Sequence, residues 1–382
     1  MVRLACGCVG GTLHHARSLR RLRGLTRGFL DEGSFDTAGA VEKDFAAAAT
    51  YAANFDPIAA HTFVGDIADY RDVPRVDLVI GGPPCQGFSA LGRRDPDDVR
   101  NQLWREFVRV VRESDAQMFV FENVDRFART PEFELLRRAA HAGGELSEFR
   151  TQVFRLNAAD FGTPQKRIRT IVIGSRIGSV AEPVQTHAKV PVGALSRWRG
   201  LREAFLEGPV RLEPEVREVW LPESTVDFQG ESVEGAFKLH DLHLTRQYDL
   251  TSEIRYAHIA PGQSRFHLPD ELQYPCWRRH TKGAGDVLGR LEWDKPAVTM
   301  RTEFFRPEKG RFLHPQWENG GVQINRALTH AEAAVAQGFD DRHMWCGSKA
   351  AIARQIGNAV PPPLAEAVAG VVAQRLTAGD GY

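Results

Sequence analysis

From about position 28 to 174, short apolar runs alternate with longer segments of helical character. Stretches at 37–41, 77–80, 118–122 and 170–174 read as strands. The run Val76-Asp77-Leu78-Val79-Ile80 shows the type, short and rich in β-branched residues. The segments at 45–54 (alanine-rich), 103–112 and 133–140 read as helices between them. Strands alternating with helices predict an α/β fold with a parallel sheet covered by helices on both faces. From about 177 to 316 the chain is rich in proline and loops and keeps no sustained period. That change predicts a second, smaller domain. Helical periodicity returns at 329–337 and 362–376. The expected division is a first domain over 1–176, completed by 340–382, and a second over 177–339.

The 382 residues suffice for two domains with real cores. Hydrophobic residues make up 42% and charged residues 26%, an ordinary soluble composition. Basic and acidic residues number 49 each, so any surface for a polyanion has to be local, as in Arg278-Arg279-His280-Thr281-Lys282. The five cysteines (Cys6, Cys8, Cys85, Cys276 and Cys346) show no CxxC spacing. This argues against a zinc site or a disulfide framework and predicts a reducing, cytoplasmic compartment. No run approaches membrane-spanning length, and no membrane partner is expected.

The candidate chemistry starts at Gly81-Gly82-Pro83-Pro84-Cys85-Gln86-Gly87-Phe88-Ser89, directly after a predicted strand. Prolines stiffen this backbone and glycines permit tight turns and close approach to a ligand. A thiol is thereby placed at the carboxyl end of a sheet, where open α/β folds bind their substrates. Five further blocks follow in the chain. They are Val41-Glu42-Lys43-Asp44, Phe121-Glu122-Asn123-Val124, the run from Ala159 to Arg169 containing Pro164-Gln165-Lys166-Arg167-Ile168-Arg169, Leu328-Thr329-His330-Ala331-Glu332-Ala333 leading to Gln337-Gly338-Phe339, and Arg354-Gln355-Ile356-Gly357-Asn358-Ala359-Val360-Pro361-Pro362.

In their order and spacing these blocks resemble the DNA (cytosine-5) methyltransferases of bacterial restriction-modification systems. The resemblance runs from about Leu25 to the end and is weakest in the middle domain. It implies a Rossmann-like sheet that uses S-adenosylmethionine, with a target-recognition domain over 177–339 acting on double-stranded DNA. Cytosine C5 is a poor nucleophile until a nucleophile adds at C6. Cys85 is the implied attacking thiolate and Glu122 the group that holds or donates a proton at N3. Arg167 is implied to contact the target base, flipped out of the duplex. Gln86, Ser89, Asn123, Gln165 and Arg169 are implied around the substrate. Phe29, Glu42, Asp66, Ile67, Pro83, Asn358, Ala359 and Val360 are implied around the cofactor, and no metal is. Stretches 290–299 and 310–315 are expected to be scaffold. A monomer is expected, with a cognate restriction endonuclease as its counterpart in the cell. An RNA cytosine-5 methyltransferase and a non-catalytic DNA-binding relative are the alternatives; a Cys85 hydrolase fits poorly, since no motif places a histidine as its base.

The resemblance breaks at the first cofactor loop. The family has a strand ending Asp-Leu-Phe-x-Gly-x-Gly-Gly where this chain reads Arg17-Ser18-Leu19-Arg20-Arg21-Leu22-Arg23-Gly24. A chain so built is expected to bind the cofactor poorly. A frameshift is our hypothesis for the break. Permitted codons for His14 to Gly24, read one base later, spell Thr-Thr-Leu-Asp-Leu-Phe-Ala-Gly-Cys-Gly. The competing reading is an arginine-rich, acid-poor targeting peptide. Resequencing decides between them: an unbroken frame with no extra G before Leu25 sinks the frameshift.

Overall fold

The computed structural model describes residues 23–83, 103–208, 210–279, 283–315, 317–319 and 322–379. Helix α1 (Arg23–Glu32) opens this part of the chain. Strand β1 (Ala40–Glu42) and strand β2 (Thr62–Val64) pair in parallel, with α2 (Phe45–Phe55) as the crossover between them. Asp44 caps α2, accepting the Ala47 amide at 2.9 Å, so the helix starts directly after the strand. Strand β3 (Leu78–Gly81) pairs in parallel with β4 (Met118–Val124), and α3 (Leu103–Glu113) lies between them in the chain. Thr130, with Pro131 at the first helical position, starts α4 (Pro131–Ala139).

The sheet departs from the expected parallel order. Strand β5 (Arg150–Asn157) forms an antiparallel hairpin with β6 (Ile168–Ser175), and β6 lies antiparallel against β4, giving the order β3-β4-β6-β5. The connection is a short 3₁₀ turn over Ala158–Phe161 closed by Gly162, at φ 85°. It holds no crossover helix, so the strand has to return antiparallel. The central strands are buried nearly throughout, while β5 at the edge keeps Val153 48% exposed.

Two cores divide the chain differently from the expected domains. The first is built on β1, β3, β4 and β6, on α3 and on α10 (Pro362–Gly379), with Phe107 packed edge-on against Phe119 and Phe121. Helix α1 lies against α10 at Gly24 and Gly28; a Cβ at Gly28 would stand 2.5 Å from that of Ala365. The second core joins α5 (Leu201–Phe205), Leu291, Met300 and Phe312 to α8 (His330–Ala336) and α9 (Lys349–Asn358). It runs through Ala359, and the first core resumes at Val360. The second core thus takes in apolar residues on both sides of position 340, while α10 returns to the sheet. The stretch before α9 bonds to α2, with Thr50 Oγ1 donating to the Cys346 carbonyl and Asn54 Nδ2 to that of Met344.

A smaller cluster of Tyr256, Ile259, Leu268, Leu288 and Leu313 organises the loop-rich part around α6 (Leu250–Ala257) and α7 (Pro275–Arg279). Its hub is the fully buried Arg290. The guanidinium donates to the carbonyls of Ile259, His314, Ile324 and Tyr256 at 2.6–2.9 Å. Charge-assisted bonds to carbonyls hold segments that have little apolar surface to bury. Burial lowers this arginine's pKa to about 9. Among the described residues, no helix is long and apolar enough to cross a membrane.

Candidate functional site

Strands β3 and β4 are parallel and β6 is antiparallel to β4. The carboxyl ends of β3 and β4 therefore meet the amino end of β6 at one edge of the sheet. In that register Glu122 faces Ile171 and Val124 faces Arg169, so Glu122 and Arg169 are diagonal neighbours on one face. A cavity of about 320 Å³ opens there, within the range of small-molecule sites. Gly82 and Pro83 line it from the end of β3, and Glu122, Asn123 and Val124 from the end of β4. Arg167 and Arg169 come from the start of β6, Thr299 to Thr302 from a loop of the second core, and Gly357 and Asn358 from the end of α9.

The two arginines reach this cavity but hold different partners. Arg169 Nε lies 2.8 Å from Glu122 Oε1, and both side chains are nearly buried. Burial lowers the Arg169 pKa, and the carboxylate beside it works the other way. Arg167, 1% exposed, donates instead to main-chain carbonyls, to Met300 and to Gly357, both at 2.9 Å. It thus clamps two walls of the cavity together. Gly357 permits that closure, because a Cβ there would stand 2.5 Å from the Arg301 carbonyl carbon and from the Thr302 nitrogen.

Asn123 joins β4 to β3. Its Nδ2 donates to the Pro83 carbonyl at 2.8 Å and its Oδ1 accepts the Val124 amide at 2.8 Å. Pro83 is the last described residue before Cys85, and this bond fixes its carbonyl beside β4. Cys85, Gln86 and Ser89 lie outside the described residues. Gln165, expected at the substrate, is wholly buried and away from the cavity lining. Its Oε1 accepts the Met300 amide at 2.7 Å and its Nε2 donates to Gln337 Oε1 at 2.7 Å, so it braces the Thr299–Thr302 wall from behind.

The residues expected at a cofactor separate into two groups. Glu42 ends β1, fully buried, and accepts the Asp44 amide at 2.9 Å through Oε1. Asp66 follows β2 as the cap of a 3₁₀ turn over Ile67–Asp69. Its Oδ1 accepts the Ala68 amide at 3.1 Å, and its Oδ2 accepts Lys43 Nζ at 2.8 Å. That bond holds the Asp66 carboxyl below its usual pKa and raises that of Lys43. These two carboxylates leave adjacent parallel strands at their carboxyl ends, where a nucleoside's hydroxyl and amino donors find acceptors. Pro83 and Asn358 line the cavity that holds Glu122.

Phe29, Ile67, Ala359 and Val360 are the apolar residues of the expected set. Phe29 is 3% exposed with its ring 5.0 Å from Phe35, Ile67 is 2% exposed in the first core, and Ala359 and Val360 are buried in the two cores. Thr299, Met300, Arg301 and Thr302 are the cavity residues that sequence reasoning missed. They sit in the scaffold stretch or just past it, and no periodicity marks them.

The profile of the C-5 cytosine-specific DNA methylase family matches residues 21–374. The chain is 30% identical over 372 residues to the type II methyltransferase M.DdeI of Desulfomicrobium norvegicum, covering 91% of this chain and 85% of that protein. It is 30% identical over 312 residues to the type II methyltransferase M1.HphI of Haemophilus parahaemolyticus, covering 78% and 68%. Among solved structures, an Escherichia coli prophage-encoded protein described as a DNA modification methyltransferase superposes with a TM-score of 0.64 at 23% identity. That match spans 93% of this chain and 96% of that one, a likeness of fold.

Proposed function

The chain belongs to the C-5 cytosine-specific DNA methylases, and from that premise we propose how its residues divide the work of methylating cytosine at C5. It is a DNA (cytosine-5) methyltransferase of the type II restriction-modification kind. The target base enters the cavity between Glu122, Arg169 and the Thr299–Thr302 wall, which requires it to leave the duplex stack. The observation that carries this reading is the buried Glu122–Arg169 pair beside Asn123, which holds the Pro83 carbonyl two residues before Cys85.

Cys85 adds as thiolate to C6 while Glu122, entering protonated, gives its proton to N3, so that the ring carries its electron density at C5. Once C5 carries the methyl group, loss of the C5 proton to a base and rupture of the C6–S bond restore the ring and release the Cys85 thiolate. Arg169 orients the Glu122 carboxylate and, with Arg167, gives the cavity two cations to one anion. That excess favours negative charge developing on the ring. Arg167 acts as the clamp of the walls. The paired acceptors Glu42 and Asp66 fit the ribose hydroxyls and adenine amine of S-adenosylmethionine, which supplies the methyl group when bound. The unit around α6 and α7, with Arg278 and Arg279, reads double-stranded DNA. The chain acts as a monomer, and an endonuclease of the same specificity is its counterpart.

Trapping tests the assignment. Duplex DNA carrying 5-fluorocytosine at the target, with S-adenosylmethionine, is expected to give a denaturation-stable complex with the chain and none with Cys85→Ala. DNA shifted by both proteins, with no trapped complex even after residues 14–24 are replaced by the family's glycine-rich loop, would instead identify a binding module.

A further inference from the structure

Helix α3 carries an arginine that the catalytic reading does not use. Its apolar face, with Phe107, Val108, Val110 and Val111, is buried in the first core, and Arg109 projects from the flank. Two carboxylates of the same helix fix its fork. Nε donates to Glu106 at 2.8 Å, and Nη1 donates to Glu113 one turn on. The remaining nitrogen, Nη2, crosses to another element and donates to the Ile67 carbonyl at 2.8 Å. That carbonyl already accepts the Tyr70 amide at 3.1 Å, closing the 3₁₀ turn that Asp66 caps. The side chain is 21% exposed, so solvent screens this bond only in part.

We propose that Arg109 is a positioning residue for the cofactor. By holding the Ile67 carbonyl it fixes the turn that aims the Asp66 carboxylate at the adenosyl group of S-adenosylmethionine. The inference rests on the reading of Glu42 and Asp66 as the nucleoside wall. The turn spans only Ile67–Asp69, and a turn that short has few bonds of its own to resist rotation. An arginine pre-set by two neighbours loses little side-chain freedom on making the third contact. Without it Asp66 keeps its cap and its lysine partner, but the backbone that sets its direction loses its outside support.

The test is calorimetric titration with S-adenosylhomocysteine, run beside DNA binding and thermal melting on the same preparations. Arg109→Ala is expected to weaken S-adenosylhomocysteine binding by about tenfold or more, the scale of one lost charge-assisted hydrogen bond. DNA affinity and melting temperature should stay near those of the unaltered chain. Arg109→Lys, which keeps the charge but not the fork, should recover part of the loss. Unchanged S-adenosylhomocysteine affinity in Arg109→Ala overturns the proposal. So does a joint fall in both affinities with a lowered melting temperature, which would make Arg109 a brace of the fold. If the chain binds DNA but not S-adenosylhomocysteine even after residues 14–24 are replaced by the family's glycine-rich loop, the nucleoside-wall reading itself falls and the proposal with it; where that replacement restores binding, the Arg109 comparison is made on it.

Discussion

Arg167 and Arg169 stand two positions apart and reach one cavity, yet their partners give them different work. Arg169 meets a carboxylate at 2.8 Å, whereas Arg167 meets two carbonyls at 2.9 Å. Removing a cation from a buried pair leaves the other charge without compensation. Arg169→Gln is therefore expected to lower single-turnover methyl transfer by about 10²-fold or more, because Glu122 loses both its orientation and its counter-charge. Arg167→Lys keeps the charge but reaches at most one of the two carbonyls. Its expected signature is a loss of about 1–3 kcal/mol in urea unfolding, with activity falling only as the cavity walls loosen. If Arg167→Lys abolishes transfer at full stability while Arg169→Gln is active, the roles are reversed. The family resemblance implies base contact for Arg167. Both arginines sit in the same motif, and only the partners, Met300 lying 133 residues away, separate them.

The elements that could be read from the chain are those whose apolar surface is concentrated. Strands β3 and β4 are buried nearly throughout, and α3 buries a clear stripe, so period and composition both marked them. Strand β5 was missed because it is the sheet edge, and Arg150-Thr151-Gln152-Val153-Phe154-Arg155-Leu156-Asn157 offers no continuous apolar run. Missing it hid the hairpin and made the sheet look parallel. Helix α1 escaped for another reason. Its sequence carries Gly24 and Gly28, which weaken a helix in isolation and here serve a contact with α10. Valine at 28 would drive its Cβ to 2.5 Å from Ala365 Cβ and from the Glu366 nitrogen, against backbone that cannot easily move. Gly28→Val is expected to cost about 1–3 kcal/mol by overpacking, read in urea titrations. An unchanged midpoint would mean that α1 does not seat on α10 as described.

At the scale of the whole molecule, the second core carries charge where a core usually carries none. Glu332 is fully buried yet meets Arg326 through both oxygens at 2.7 and 2.8 Å, and His314 Nε2 lies 3.3 Å away. Arg326 also donates to the Pro214 carbonyl, so one network joins four separate segments of the chain. Burial opposes the charge, but the Arg326 guanidinium outweighs it and holds Glu332 well below the usual carboxyl pKa, which keeps it ionised. Burial, aided by Arg326, pushes His314 down to about 4 from 6.5. Burial beside Lys349 does the same to His330, whose ring stacks on Phe305. Both histidines are therefore neutral when folded and take up protons near pH 6.5 when unfolded. Where the unfolded chain binds more protons, stability falls as pH falls. The window runs from about 6.5 down to about 4, above the range in which Glu332 protonates. Between pH 7.5 and pH 5 each histidine should cost roughly 2 kcal/mol of unfolding free energy. Urea titrations at the two pH values measure the sum, and replacing either histidine with glutamine should flatten the dependence by its own share, whatever it does to stability at pH 7.5. A stability that does not change between pH 7.5 and pH 5 would show that these imidazoles are not buried neutral, and the network would then have to be solvated rather than sealed within the second core.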